Sequence, residues 1–304
     1  MKDQATTLRQ MTIPENHVMP GVIMQEPIVK RLAVTSHART IAITGGKGGV
    51  GKSNVAVNVA LELAFAGWRV SLLDADLALA NADLLMGLNP QFHLGHVLSG
   101  QRTLAEVVIE TDGGVRLIPG GSGIEELANL SRAQQQTLIA ELSAMEDASD
   151  FMIIDTPAGI AHNVTSVLRA AGEVIIVTTP DPTAVVDAYA TIKVLHHQSP
   201  AKPVGIVVND VVGIGDAEET FAQIQAAATR FLQHPLEHLG TIPRDSELAE
   251  AVRRQIPVVQ YAPQTPASRS LRLIAKRLNQ IHETPANSGN GKRSFWRLLT
   301  EPEN

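Results

Sequence analysis

The sequence predicts an α/β fold, a mostly parallel central sheet with helices on both faces. Three observations carry that prediction. Short apolar runs rich in Val and Ile recur along the chain, most intervals between them show helical spacing of apolar residues, and a glycine-rich loop joins the first run to the first helix. Strands that alternate with helices pair in parallel, because a helical crossover returns the chain to the same end of the sheet.

The elements follow in order. Residues 1–38 open on a short polar segment and are then broken by Pro14, Pro20 and Pro27, which predicts an extension with little structure. The core spans 39–282. Its strands are predicted at Arg39–Thr44, Val70–Asp74, Val115–Ile118, Phe151–Asp155, Val174–Thr178, Val204–Asn209 and Leu236–Ile242, and its first helix at Asn54–Phe65. Residues 283–291 (ETPANSGNG) have linker composition, and 292–304 form a short amphipathic terminus. There is no internal repeat. A chain of 304 residues with 44% hydrophobic content buries one large core plus appendages; two full domains are permitted but not required.

The loop between the first strand and first helix carries the chemistry. Gly45 to Ser53 reads GGKGGVGKS, a complete GxxxxGK[ST] pattern. Gly46, Gly48, Gly49 and Gly51, with Val50 among them, let the backbone curl until successive N–H groups converge on phosphate oxygens. Lys52 then reaches the β- and γ-phosphates, Ser53 offers a hydroxyl to Mg²⁺, and the helix that begins at Ser53 and Asn54 points its positive dipole end at the anion. The Gly-Lys-Ser ending favours this reading over a dinucleotide-binding GxGxxG loop. A metal-organising carboxylate is needed at the end of a neighbouring strand, and FMIIDTPAG supplies Asp155, with Gly159 spaced so that its N–H approaches the γ-phosphate. A guanine-reading Asn-Lys-x-Asp motif is absent. Asn209 closes the strand VVND instead, and an amide pairs with the N6 donor and N7 acceptor of adenine.

Composition narrows the remaining chemistry. The chain has no cysteine, which removes disulfides, thiolate metal sites, iron–sulfur clusters and thiol catalysis together. His234 and His238 are separated by Pro235 and make a poor metal pair. The polar start predicts no signal peptide and no apolar run is long enough to span a bilayer, so the expected location is the cytoplasm. A net charge of −6 disfavours a general nucleic-acid surface. The charge is uneven, however: Ser268 to Leu299 holds seven basic residues and one acidic one, which suggests an anionic partner for that end.

The second lysine of the loop, Lys47, lies five positions before Lys52, and the loop with it resembles that of the MinD/ParA family of deviant Walker A ATPases. The resemblance implies that ATP is sandwiched in a homodimer, with Lys47 reaching the partner subunit's nucleotide. It assigns LLDADLALANAD to the first switch, with Asp74 in the Mg²⁺ water shell and Asp76 orienting the attacking water, and it places Pro243 and Asp245 of IPRDSEL over the adenine. Lys47, Lys52 and Asp76 are then the catalytic residues of a slow ATPase stimulated by partner or lipid. Asp210, after Asn209, departs from the basic residue or methionine usual there.

Within the family, TTPDPTAVVDAYATIK and DADLALANAD are most similar to the FlhG (FleN) branch of flagellar-number regulators. Asp3 to Arg9 reads DQATTLR and matches the DQAxxLR motif of that branch. By resemblance, Asp3, Gln4, Ala5, Leu8 and Arg9 dock on the SRP-type GTPase FlhF and stimulate it. DTPAGI is nearer the MinD form, so a MinD-type division-site regulator stays an alternative, as does a ParA-type partition ATPase. At the other end, Phe295, Leu298 and Leu299 share one helical face, beside Trp296 and flanked by Lys292, Arg293 and Arg297. These aromatics are expected outside the core, on a helix that targets the inner face of the membrane in the ATP state, at a cell pole. Flagellar basal-body proteins or a flagellar transcription regulator are the further partners the resemblance allows.

Overall fold

A computed structural model describes residues 38–76, 81–120, 132–283 and 294–300. The DQATTLR segment, Lys292, Arg293 and residues 284–291 of the linker lie outside the described residues. Eight strands form one sheet: β1 (Arg39–Thr44), β2 (Val70–Asp74), β3 (Ile109–Glu110), β4 (Val115–Pro119), β5 (Phe151–Asp155), β6 (Glu173–Thr178), β7 (Val204–Val211) and β8 (Glu237–Pro243). Their order is β3-β4-β2-β5-β1-β6-β7-β8, and every pairing is parallel except β3 with β4.

The central strands are buried along their whole length, as strands covered on both faces must be. Successive side chains go to opposite faces. Ile41, Ile43, Leu72, Ile153 and Val207 join one core with helices α1 (Lys52–Phe65), α10 (Val258–Tyr261) and α11 (Pro266–Glu283). Ala42, Leu73, Ile154 and Val208 face a second core. That core is completed by α3 (Leu94–Leu98), α4 (Leu104–Val107), α5 (Arg132–Asp147), α6 (His162–Ala170), α7 (Pro182–Gln198) and α8 (Asp216–Leu232). Two further short helices, α2 (Ala82–Leu85) and α9 (Ser246–Arg253), follow β2 and β8.

The terminal helix α12 (Phe295–Thr300) corrects the expectation that its aromatics sit outside the core. Phe295 and Trp296 are both 0% exposed. They pack edge to face and join the second core in a groove between α5 and α6, with Leu298 and Leu299 partly buried beside them. The physical reason is a buried carboxylate. Glu146 on α5 accepts hydrogen bonds from the Phe295 N–H at 3.1 Å and from the Ser294 hydroxyl at 2.8 Å, satisfying orphan donors at the start of α12. The fit is incomplete, since the Trp296 indole Nε1–H is buried without a hydrogen-bond partner.

Candidate nucleotide-binding site

The glycine-rich loop runs from the carboxyl end of β1 into α1. Gly49 and Gly51 have φ of 81° and 94°, in the left-handed region, and Gly51 forms the N-cap of α1. A Cβ on Gly51 would lie 2.3 Å from the Asn209 amide nitrogen, so glycine is needed there on both counts. A Cβ on Gly46 would fall 2.2 Å from the backbone of Asp187, which lets the loop pass directly against α7. Lys52 is buried at the first turn of α1, Val50 is buried beneath the loop, and Ser53 and Asn54 are half-buried next to them.

Sheet register brings the carboxylates to this loop. Asp74 pairs directly with Asp155 across β2 and β5, and Asp155 with Ile43 across β5 and β1, so both acids end their strands at the level where the loop begins. Asp155 is 0% exposed and neither oxygen makes a hydrogen bond; the Ser53 hydroxyl faces it without reaching hydrogen-bond geometry. Burial pushes its pKa up to about 7, with the neighbouring Asp74 adding to the effect and Ser53 and Lys52 opposing it. Asp74 is pushed up to about 6, again by burial, although it accepts N–H bonds from Ala82, Asp76 and Asn81 at 3.0–3.1 Å. Asp74 therefore ties the end of β2 to the start of α2. Asp76 is half-buried at its edge.

These residues fit Mg²⁺. Two buried carboxylates that oppose each other's ionisation, one with both oxygens orphaned, beside a serine hydroxyl, form an incomplete set of hard oxygen donors. No group of three or more His, Asp or Glu able to hold a metal occurs among the described residues. A site that takes its remaining ligands from phosphate and water has this composition.

The lysine that distinguishes the loop is held within its own chain. Lys47 Nζ donates to Thr183 Oγ1 at 2.7 Å and lies 3.9 Å from Asp181 Oδ1, at the N-cap of α7. Sequence reasoning missed both partners, and 136 residues of separation left no local signal for them. The Gly159 N–H, expected at the γ-phosphate, donates instead to Gly45 O at 3.1 Å.

At the other end of the site, Asn209 uses its amide N–H on Val50 O at 2.9 Å and so braces the loop, leaving Oδ1 as its acceptor. Asp245 is engaged throughout: one oxygen caps α9 through Glu247 N and the other accepts from Ala267 N. Pro243 ends β8 opposite Val211. The side chain of this segment that reaches the site is Arg244, bound in a fork to Asp210 with both contacts at 2.7 Å. Asp210 and Arg244 line a cavity of about 360 Å³ with Lys47, Val50, Asp181 and Val212. The arrangement can hold a phosphate chain at the loop, with a base toward β7 and β8.

Comparison with known proteins agrees with this geometry. The ParA family profile, described as NUBPL iron-transfer P-loop NTPase, matches residues 36–279. The chain is 39% identical over 276 residues to the antiactivator FleN of Pseudomonas aeruginosa, covering 90% of this chain and 98% of that protein. It is 35% identical over 266 residues to the flagellum site-determining protein YlxH of Helicobacter pylori, covering 86% and 90%. Among solved structures, the cell division ATPase MinD of Pyrococcus furiosus superposes with a TM-score of 0.65 at 25% identity, over 80% of this chain and 99% of that one. With the strand–loop–helix site in place and 244 residues matched to the profile, the chain belongs to the ParA/MinD family of P-loop NTPases.

Proposed function

We propose that this chain is an ATP-dependent dimerising ATPase that associates with anionic membrane and regulates flagellar number or placement through an SRP-type GTPase of the FlhF kind. The observation that carries the nucleotide reading is the orphaned carboxylate of Asp155, buried beside a two-lysine phosphate loop. The flagellar reading is supported by the two relatives, one an antiactivator and one a flagellum site-determining protein.

In this reading the loop N–H groups and Lys52 bind the β- and γ-phosphates, and Ser53, Asp155 and Asp74 hold Mg²⁺. Bound Mg²⁺ neutralises charge on the β- and γ-phosphate oxygens. Asp76 orients the attacking water, which is positioning rather than strong base catalysis, so turnover is slow. Activation breaks two contacts present in the single chain. Lys47 leaves Thr183 and Asp181 to reach the partner's nucleotide, and the Gly159 N–H leaves Gly45 O to reach the γ-phosphate.

Membrane association requires a third release, because Phe295 and Trp296 cannot meet lipid while buried between α5 and α6. Once freed, α12 with Lys292, Arg293 and Arg297 suits an anionic surface, and two copies on one dimer gain from effective concentration. Among the described residues no helix is long and apolar enough to cross a membrane. Sedimentation with anionic liposomes tests this. Wild type should pellet with ATP and not with ADP, whereas truncation after Asn290 or Phe295→Glu should stay in the supernatant. Equal pelleting of the truncated chain would remove the tail from the account.

A further inference from the structure

We infer that the outward face of α11, built on Arg269, Arg272, Leu273 and Lys276, is a second contact with an anionic bilayer, made by the folded core and separate from the terminal helix. It rests on the membrane reading above and adds to it the surface that the core lays on lipid.

The two sides of α11 are spent differently. Leu271, Ile274, Ala275 and Leu278 enter the first core. Positions 269, 272, 273 and 276, spaced by three and four residues, share the opposite, exposed face. Leu273 is 59% exposed there, an apolar side chain among cations. Phe65, 51% exposed, ends α1 one turn beyond Glu62, the residue that joins α1 to α11 through Arg272.

The charge on this face is not cancelled locally. α11 carries Arg269, Arg272, Lys276 and Arg277 against a single acid, Glu283, at its last position. Helices α1 and α10 and strand β8, which pack on it, bring two more. Glu62 of α1 is buried and taken by Arg272 at 3.1 Å. Glu237 opens β8, where Arg277 donates to the carbonyls of the next two residues, His238 and Leu239. Arg269 and Lys276 have no acidic partner among the described side chains.

Position decides which anion this face meets. A net charge of −6 repels nucleic acid and anionic lipid alike, so the stripe gains only from a partner held close by other means. α11 runs directly into residues 284–293, a stretch that reaches at most about 36 Å and leads to the terminal helix. A terminal helix on lipid therefore keeps α11 at the membrane, where each basic residue near an anionic leaflet raises partitioning about fivefold. Leu273 and Phe65 suit the boundary between headgroups and acyl chains and offer nothing to a phosphate backbone.

The chain has no cysteine, so Leu273→Cys takes a single environment-sensitive fluorophore. With ATP and vesicles containing phosphatidylglycerol, emission from position 273 should shift to the blue; with phosphatidylcholine vesicles it should not. The same label on Gln198→Cys, exposed at the end of α7 across the sheet, should not respond. Replacing both Arg269 and Lys276 by alanine, with the terminal helix intact, should lower partitioning onto the anionic vesicles by about thirtyfold in sedimentation. Arg269→Lys with Lys276→Arg should restore it, which a fold-breaking effect of position would not allow. Unchanged partitioning of the double alanine variant, or no shift at 273 in vesicle-bound protein, overturns the inference while leaving the terminal helix as anchor. A shift at 273 with duplex DNA in place of vesicles overturns it in favour of nucleic acid. If wild type does not sediment with ATP at all, the membrane reading fails first and the inference with it.

Discussion

Replacing Trp296 by alanine should release the terminal helix, while replacing it by phenylalanine should leave the helix docked at least as firmly as in wild type. The magnitudes follow from the groove. Phe295 and Trp296 are fully buried, worth about 1.5–3 kcal/mol each, and the partly buried Leu298 and Leu299 add roughly another 2 kcal/mol between them. Hydrogen bonds from Ser294 and Phe295 to the Glu146 carboxylate contribute about 1.5–3 kcal/mol each. Against this stand about 1–2 kcal/mol for ordering each of residues 294–300 and about 1–3 kcal/mol for the unpartnered Trp296 N–H. Gain and cost come to roughly 8–14 and 8–17 kcal/mol on these scales, so the docked helix sits near balance. Removing the indole costs about 3–5 kcal/mol, which opens the groove, whereas phenylalanine keeps most of the buried area and deletes the orphan donor. Hydrogen exchange of the 295–300 amides reports this directly. If Trp296→Ala leaves those amides as protected as in wild type, the groove does not hold the helix in the way its contacts imply.

Three further outcomes are expected. Asp76→Ala should keep ATP binding but lose phosphate release, because a water-orienting carboxylate contributes in the transition state; wild-type turnover with lipid and partner present would remove Asp76 from that role. Asp155→Asn should stabilise the nucleotide-free protein increasingly as pH rises: the folded carboxyl titrates near 7 and the unfolded one near 3.8, so the folded state binds more protons between these values and loses stability as pH climbs through them. Thermal melts at pH 5 and pH 8 should show the gain growing by a few degrees, and a gain that shrinks toward pH 8 contradicts the raised pKa. Gln4→Ala, or loss of residues 1–10, should abolish stimulation of an FlhF-type GTPase while leaving this chain's own ATPase intact, and unchanged stimulation would assign the DQATTLR segment elsewhere.

The strands were legible because a parallel strand buried on both faces is mostly apolar, and runs such as FMIID and TIAIT combine that composition with β-branched residues and strand length. Strand β3, two residues at the sheet edge, has too little sequence to show a period. The phosphate loop and Asp155 were legible because both obey local chemistry: glycines where the backbone must curl, and a carboxylate at a strand end. Contacts set by tertiary placement were not. The spacing of Phe295, Leu298 and Leu299 gives an apolar face but not what covers it, and only the packing of α12 against α5 and α6 makes protein rather than lipid its partner here. The hold of Thr183 on Lys47 and the fork between Arg244 and Asp210 likewise join residues far apart in sequence. Asp245 and Arg244 show how fine the limit is: neighbours in one motif, the first is spent on capping helices and the second faces the cavity.

The central claim is that ATP binding is read out as a dimer through Lys47. Light scattering on Asp76→Ala, which blocks turnover, measures it most directly, with Mg²⁺ and either ATP or ADP. The account predicts a dimer with ATP, a monomer with ADP, and a monomer with both once Lys47→Ala is added. A dimer formed with ATP in the Lys47→Ala, Asp76→Ala double variant would contradict it.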